Sequence, residues 1–277
     1  MKRVSATPHP DLKEAPMKRL ILLGAALLLP TFASAEMPSI HVGAMYEYLL
    51  PDQGALLRRV RNSGDATAFV RVQVTEVRYT EDNTPYEVDV EPGVYGGGGN
   101  ALIASPSRLI VPRQGQQATR LLFHGNRDKE RHYRVRFVPV LPKKEDEFAL
   151  TEAQSEDYRR SIAAGVNVLT GYGVFVIVHP EAPSSDLRID RQADRTVVHN
   201  AGNSTVVLDN VRQCSTGTQP GQCGASRRVH LLPGRSEAFA HLPGQDHRFE
   251  IVEGKSRKSV RCLLYTSDAA DDTPCVD

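Results

Sequence analysis

The chain has 277 residues, with 34 Lys+Arg against 33 Asp+Glu and a formal charge of +1. That balance excludes attachment to nucleic acid or anionic membrane through bulk charge, and 40% hydrophobic with 24% charged residues excludes wholesale disorder. The absence of Trp, with 21 Gly and 18 Pro, suits a turn-rich chain of one or two domains rather than a helical bundle.

Residues 1–16 are polar and read as a mis-called start extension. Met17-Lys18-Arg19 then opens a positive region, followed by an apolar run from Leu20 to Leu29 and the small residues Ala33-Ser34-Ala35. This is the three-part pattern of a secretory signal over residues 17–35, and the apolar run is too short to span a bilayer. At the other end, Cys262-Leu-Leu-Tyr-Thr-Ser-Asp-Ala-Ala-Asp-Asp272 resembles the translation of a transposase sequencing adapter. Residues 262–277 are therefore expected to be artefactual, which leaves 36–261 as the folded chain.

From Ser39 onward the governing signal is period two in short runs bounded by turn residues. Leu56–Arg61 enters the turn Asn62-Ser-Gly-Asp65, a residue set suited to positive φ. In Ala68–Val77, Val70, Val72 and Val74 alternate with Arg71, Gln73 and Thr75, which sends one face to a core and the other to water. Strands follow at Arg108–Val111, Ala118–Phe123 and His132–Val140. Gly96–Gly99 reads as a flexible loop, and Ala149–Ser161, acidic then basic, is the only helix-like segment and reads as a mobile connection. A long apolar stretch runs from Val166 to Val178.

The prolines and small polar residues of His179–Ser185 mark a hinge at 181–186 between an N-terminal domain (36–180) and a C-terminal domain (187–261). In the second part Asn200-Ala-Gly-Asn-Ser-Thr205 echoes Asn62-Ser-Gly-Asp-Ala-Thr67, so the same hairpin is expected once per half. The fold expected is all-β: two immunoglobulin-like sandwiches joined at an angle, the second short and truncated. Cys214 and Cys223, nine positions apart in an exported chain, are expected to form a disulfide. No catalytic motif, phosphate loop or clustered metal ligands are present; neither enzymatic activity nor a cofactor is expected.

The segment Ala104-Ser-Pro-Ser-Arg-Leu-Ile-Val-Pro-Arg-Gln-Gly-Gln-Gln-Ala-Thr-Arg-Leu121, followed by Tyr133-Arg-Val-Arg-Phe-Val-Pro-Val140, resembles the periplasmic chaperones of chaperone–usher pili. Val42-Gly-Ala-Met-Tyr46 with Arg59-Val-Arg-Asn-Ser-Gly-Asp65 is closest to the alternate branch, the coli-surface-antigen and common-pilus type. The resemblance covers residues 39–180 well and continues more loosely beyond. It implies a periplasmic protein whose partners are pilus subunits, either pilin or tip adhesin, and an outer-membrane usher.

The subunits would bind along an edge strand of the first domain. Ile162, Ala164, Val166, Val168, Thr170 and Tyr172 share the phase such a strand needs, whereas Val174–Val178 reads as core. The family also grips the subunit's terminal carboxylate with basic residues in the cleft between domains. The usual strand Lys is missing, because its position falls near Phe175. The candidates by chemistry are Arg134 first, then Thr119, Arg136 and Arg108, since a guanidinium grips a carboxylate bidentately. The competing reading is a pilus subunit or adhesin, but Glu36–Ile40 is too short and Pro-interrupted to be a subunit's donor extension.

Overall fold

The computed structural model describes residues 37–90, 99–143, 148–162, 169–215, 222–254 and 256–262. The expected leader over 1–35, the glycine run at 96–98 and the tail beyond Cys262 lie outside them.

The alternating runs become the strands of two sandwiches. In the first, one sheet is ordered β1 (Ile40–His41), β3 (Ala55–Asn62), β8 (Gln116–His124) and β6 (Ala101–Ser105). The facing sheet is ordered β2 (Tyr46–Leu49), β10 (Tyr172–Val178), β9 (Arg131–Val140), β4 (Ala68–Tyr79) and β5 (Pro85–Asp89), and β7 (Arg108–Val111) also pairs with β4. The inward residues Val60, Val70, Leu121, Tyr133, Val135, Phe137, Val174 and Val176 are fully buried between the sheets. Period two therefore performs as expected on β3, β4, β8 and β9.

The second sandwich packs a sheet of β11 (Leu187–Arg191), β12 (Arg195–Asn200) and β15 (Ser236–Ala240) against another ordered β14 (Arg227–Leu231), β13 (Val206–Ser215), β16 (Gln245–Glu253) and β17 (Ser256–Cys262). Its core is Val198, Val206, Leu208, Val211, Leu231, Phe239, Phe249 and Ile251. The described residues of 187–262 supply seven strands, the number in an immunoglobulin constant-type sandwich. Cys214 and Cys223 are bonded.

The repeated Asn-x-Gly element recurs as expected but is not a hairpin. Asn62–Thr67 carries the chain from β3 in one sheet to β4 in the other, and Asn200–Thr205 does the same from β12 to β13. Both asparagines are fully buried. Asn62 Oδ1 accepts from Gly64 N at 3.0 Å, and its Nδ2 donates to the Ala66 and Val111 carbonyls at 2.7 and 3.1 Å. Asn200 Oδ1 accepts from Gly202 N at 3.0 Å, and its Nδ2 donates to the Ser204 and Leu231 carbonyls at 2.8 and 2.9 Å. An arch between sheets strands backbone groups with no ladder partner, and a buried amide satisfies them.

The glycines serve closeness rather than positive φ. A Cβ on Gly64 would lie 2.1 Å from the Met37 carbonyl oxygen, and one on Gly202 2.4 Å from that of Ser184. In each half the segment leading into the first strand, Met37–Ser39 before β1 and Ser184–Asp186 before β11, passes directly against the arch.

Residues 149–161 are not a mobile connection: α1 spans Glu152–Ile162. Thr151 and Gln154 form a reciprocal cap, with Gln154 N donating to Thr151 Oγ1 at 3.2 Å and Thr151 N to Gln154 Oε1 at 2.9 Å. Glu152 in the first turn and Arg159 and Arg160 in the last suit the helix dipole. The Tyr158 ring meets Phe69 edge-on at 4.8 Å, and burial pushes its phenol up to about 12.

Candidate functional site

Two features of the first sandwich converge near the junction with the second: the changing neighbours of β10, and a cleft on the outer face of its sheet. β10 pairs antiparallel with β9 along its whole length, from Tyr172 opposite Phe137 to Val178 opposite Arg131. On its other side β2 pairs with it in parallel only from Phe175 to Val178. The C-terminal half of β10 is therefore an interior strand, while Tyr172–Val174 has no ladder partner on the β2 side among the described residues. The reason is the path of the first strands: the chain leaves the opposite sheet after His41 and joins this one only at Tyr46. Arg58 closes the gap at that switch from within the sandwich, pairing with Glu47 and donating to the Ala44 carbonyl.

The proposed edge residues divide accordingly. Val174, Val176 and Val178 are buried in the core as expected. Tyr172 is half-buried against that core, and Thr170 is exposed just before the strand. Ile162 does not belong to an exposed strand: it is the last residue of α1 and only 1% exposed. Its phase matched the others, yet the capped helix extends through it. Ala164, Val166 and Val168 lie outside the described residues.

The outward residues of β10 form a second, smaller apolar cluster. Phe175 and Ile177 are buried with Val77, and Tyr48 and Tyr79 pack against them. The second sandwich covers this cluster through His230 of β14. The His230 ring stacks on Tyr46 with centroids 3.6 Å apart, and its Nδ1 is hydrogen-bonded to the Tyr48 hydroxyl. Burial, with the Arg228 charge as a lesser cause, lowers His230 to about 4. Burial, with Glu130 beside it, pushes the Tyr48 phenol well above its ordinary range.

Glu130 ties the joint further. Its carboxylate accepts from the Thr205 amide at 2.6 Å and the Thr205 hydroxyl at 2.5 Å, and His132 Nε2 donates to it at 2.7 Å. Arg235 reaches back from the second sandwich, 4.9 Å above the Tyr79 ring, and donates to the Asn83 carbonyl at 3.1 Å.

Beside this seam opens a cleft of about 750 Å³, lined on one side by Met45, Tyr46, Tyr79, Arg134 and Phe175 and on the other by Arg227, Arg228, His230 and Leu232. Three arginines face it, and they differ in what holds them. Arg228 is bound bidentately by Asp209 at 2.8 and 3.0 Å, and Arg227 donates to Glu237 at 2.7 Å. Arg134 lies 5.4 Å over the Phe175 ring, its Nε 3.8 Å from Glu87 and without a hydrogen bond. Glu87 is committed elsewhere: the Arg136 fork grips it at 2.6 and 2.6 Å, and that hydrogen bonding, with the Thr75 hydroxyl, lowers its carboxyl to about 2. Of the three cleft arginines, Arg134 alone presents a guanidinium not already engaged by a close carboxylate.

The lesser candidates are placed elsewhere. Thr119 is fully buried on β8, in the other sheet, and donates to the Pro106 carbonyl at 2.8 Å. Its inward phase on β8 withdraws it from the cleft. Arg136 spends its fork on Glu87, and Arg108 is exposed on β7, beyond β4 from the cleft. The seam residues Tyr46, Tyr48, Glu130, Thr205 and His230 were not singled out from the sequence. The one available signal was the unbroken apolar run through Phe175–Ile177, which requires burial on both faces of the strand. No helix of the described residues is long and apolar enough to cross a membrane, and no group of three His, Cys, Asp or Glu among them is placed to hold a metal.

No family model matches the chain. Among curated proteins it is 24% identical over 236 residues to the probable fimbrial chaperone EcpB of Escherichia coli O157:H7, spanning 85% of this chain and 94% of that one. It is 22% identical over 232 residues to the protein of the same name from Escherichia coli O18:K1:H7, spanning 83% of this chain and 93% of the relative. Among solved structures, the class 5 fimbriae chaperone CfaA aligns with a TM-score of 0.50 and 18% identity, over 82% of this chain and all of that one. That likeness supports the two-sandwich fold. By sequence over most of its length, and with the fold to match, the chain is a homologue of the fimbrial chaperones.

Proposed function

We propose that this protein is a periplasmic chaperone that binds, folds and caps pilus subunits by lending them a strand, then delivers them to an outer-membrane usher. Pilus subunits and the usher are its partners, and it carries out no catalysis. The leader-like residues 17–35 would direct it to the periplasm, and 36–180, 181–186 and 187–261 would serve as first domain, hinge and second domain. The reading is supported by the name its curated relatives carry and, in the structure, above all by β10. This strand is interior where β2 flanks it and loses that neighbour before Phe175. A subunit core lacking one strand can pair with such an edge through main-chain hydrogen bonds, while alternate side chains fill its groove. The residues bet on for that role are Ala164, Val166, Val168, Thr170 and Tyr172.

Arg134 is the anchor for the subunit's terminal carboxylate. It projects from β9 opposite Phe175 into the cleft, and of the cleft arginines its guanidinium is the one held only by a distant ion pair, 3.8 Å from Glu87, with no hydrogen bond to a carboxylate. The test is co-purification with the cognate pilin. Arg134→Ala should keep the wild-type melting temperature and lower pilin affinity roughly tenfold or more, the cost of a charge-assisted bidentate contact. Arg136→Ala, whose partner is Glu87, should capture pilin within a fewfold of wild type. Equal losses in the two variants would overturn the assignment, and no pilin capture by the wild type would overturn the chaperone reading itself.

A further inference from the structure

A second opening lies at the hinge and shares no lining residue with the cleft. Its volume is about 420 Å³, inside the span of small-molecule sites, roughly 300–1,000 Å³. Asp52, from the turn after β2, and His179, just after β10, line it from the first sandwich. Ser185 comes from the hinge, Ser204 from the second arch, and Glu253 from the end of β16. Leu50 and Val206 add apolar wall.

Asp52 and Glu253 bring one carboxylate from each sandwich. Neither has an ion-pair or hydrogen-bond partner among the described residues, and no Lys or Arg among them lines the opening. Arg127 is close enough to feel the charge of Asp52. Its guanidinium, however, donates to the carbonyls of Leu49, Leu50, Gln53 and His179 and to no carboxylate.

His179 is an independent sign of a ligand. The residue is only 4% exposed, and its Nε2 is buried with no hydrogen-bond partner. Burial lowers its pKa, so the ring is neutral at pH 7 and has a lone pair to offer. A buried nitrogen without a partner is a cost to the fold that a bound donor would remove.

Two uncompensated carboxylates select a cation, and the imidazole nitrogen selects one that donates hydrogen bonds. A metal ion fits less well, since no three His, Cys, Asp or Glu among the described residues are placed to hold one. Leu50 and Val206 suit methylene groups. We propose that this opening binds a small aliphatic amine, with Asp52 and Glu253 holding its protonated nitrogens and His179 Nε2 accepting a hydrogen bond from one of them. A diamine would tie the two sandwiches across the hinge. The site does not depend on the chaperone reading, because it uses neither the β10 edge nor Arg134.

The test is calorimetric titration of the protein with 1,4-diaminobutane at pH 7, with NMR of the histidine rings. The wild type should bind one diamine per chain, shift its His179 signals and melt higher with the diamine present. Asp52→Asn/Glu253→Gln should keep the ligand-free melting temperature and bind at least about tenfold more weakly. If the double substitution lowers melting, each single substitution carries the same test. Asp190→Asn, an exposed change on β11, should bind as wild type, and the neutral 1,4-butanediol should not bind. No diamine binding by the wild type overturns the proposal, as does binding that leaves the His179 signals unmoved. An equal loss in Asp190→Asn would reduce it to diffuse attraction, and binding of calcium or zinc ions but not of the diamine would assign the opening to a metal; either result overturns it.

Discussion

Two substitutions near β10 separate a strand that belongs to the core from one that is offered to a partner. Val176 is fully buried, with Tyr133 opposite it on β9 and Glu47 on β2. Val176→Asp removes about 1.5–3 kcal/mol of apolar burial. It also places a carboxyl group between the sheets with no partner. That costs several kcal/mol more whether the group stays charged or takes up a proton. The sum is comparable with the whole stability of a domain, about 5–15 kcal/mol, so the first sandwich should be unfolded or nearly so.

Thr170 is exposed and precedes the strand. Thr170→Asp should therefore change stability by no more than about 0.5 kcal/mol. In the complex, the same carboxylate would face an apolar subunit groove, and an unpaired buried polar group costs roughly 2 kcal/mol or more. That is about a thirtyfold loss of affinity at 1.4 kcal/mol per tenfold. The assays are urea melting of each variant alone and pilin co-purification with each. If Thr170→Asp melts as poorly as Val176→Asp, the edge does not begin where β2 ends. If it is stable and captures pilin like wild type, the residue makes no buried contact and the edge assignment fails there. Val168→Asp, outside the described residues, is expected to behave like Thr170→Asp.

The paired arches predict matched losses: Asn62→Ala and Asn200→Ala each strand several buried backbone groups and should destabilise their own sandwich by about 2–4 kcal/mol, read as a lowered urea midpoint; a loss below about 0.5 kcal/mol in either would mean that water replaces the amide. The joint should be sensitive to acid. His230 is held neutral, its folded value lowered from 6.5 to about 4, so the unfolded chain binds the extra proton first. The stability this contributes is full above pH 6.5 and is lost as pH falls through about 4, on the order of 3 kcal/mol in total. His230→Asn should flatten that slope, and an unchanged difference between melts at pH 7 and pH 4 would count against it.

The sequence by itself determined much of this protein: the all-β class, the period-two cores of β3, β4, β8 and β9, the disulfide and the resemblance to pilus chaperones. These follow from local chemistry, because alternation along a strand reports which face is wet without reference to any other strand. The Asn-x-Gly echo was legible for the same reason, since it is one local device used twice. Its path was not, because a hairpin and an arch differ only in which sheet receives the next strand. The segment at 152–162 looks helix-like in sequence but reads as a mobile connection, because its buried apolar contacts are few and its clearest mark is the Thr151–Gln154 cap.

What tertiary structure decided was every choice between alternatives that share a pattern. Arg134, Arg136 and Arg108 are alike in sequence, and only the placement of Glu87 and the cleft distinguishes the arginine that can grip from the one already gripped. Thr119 shares their neighbourhood in sequence but turns inward. The seam of Tyr46, Tyr48, Glu130, Thr205 and His230 joins residues up to 184 positions apart, from Tyr46 to His230. Its partners meet only because the second sandwich packs on the outer face of the β10 sheet. No periodicity encodes that encounter, since it depends on which surfaces two folded domains bring together.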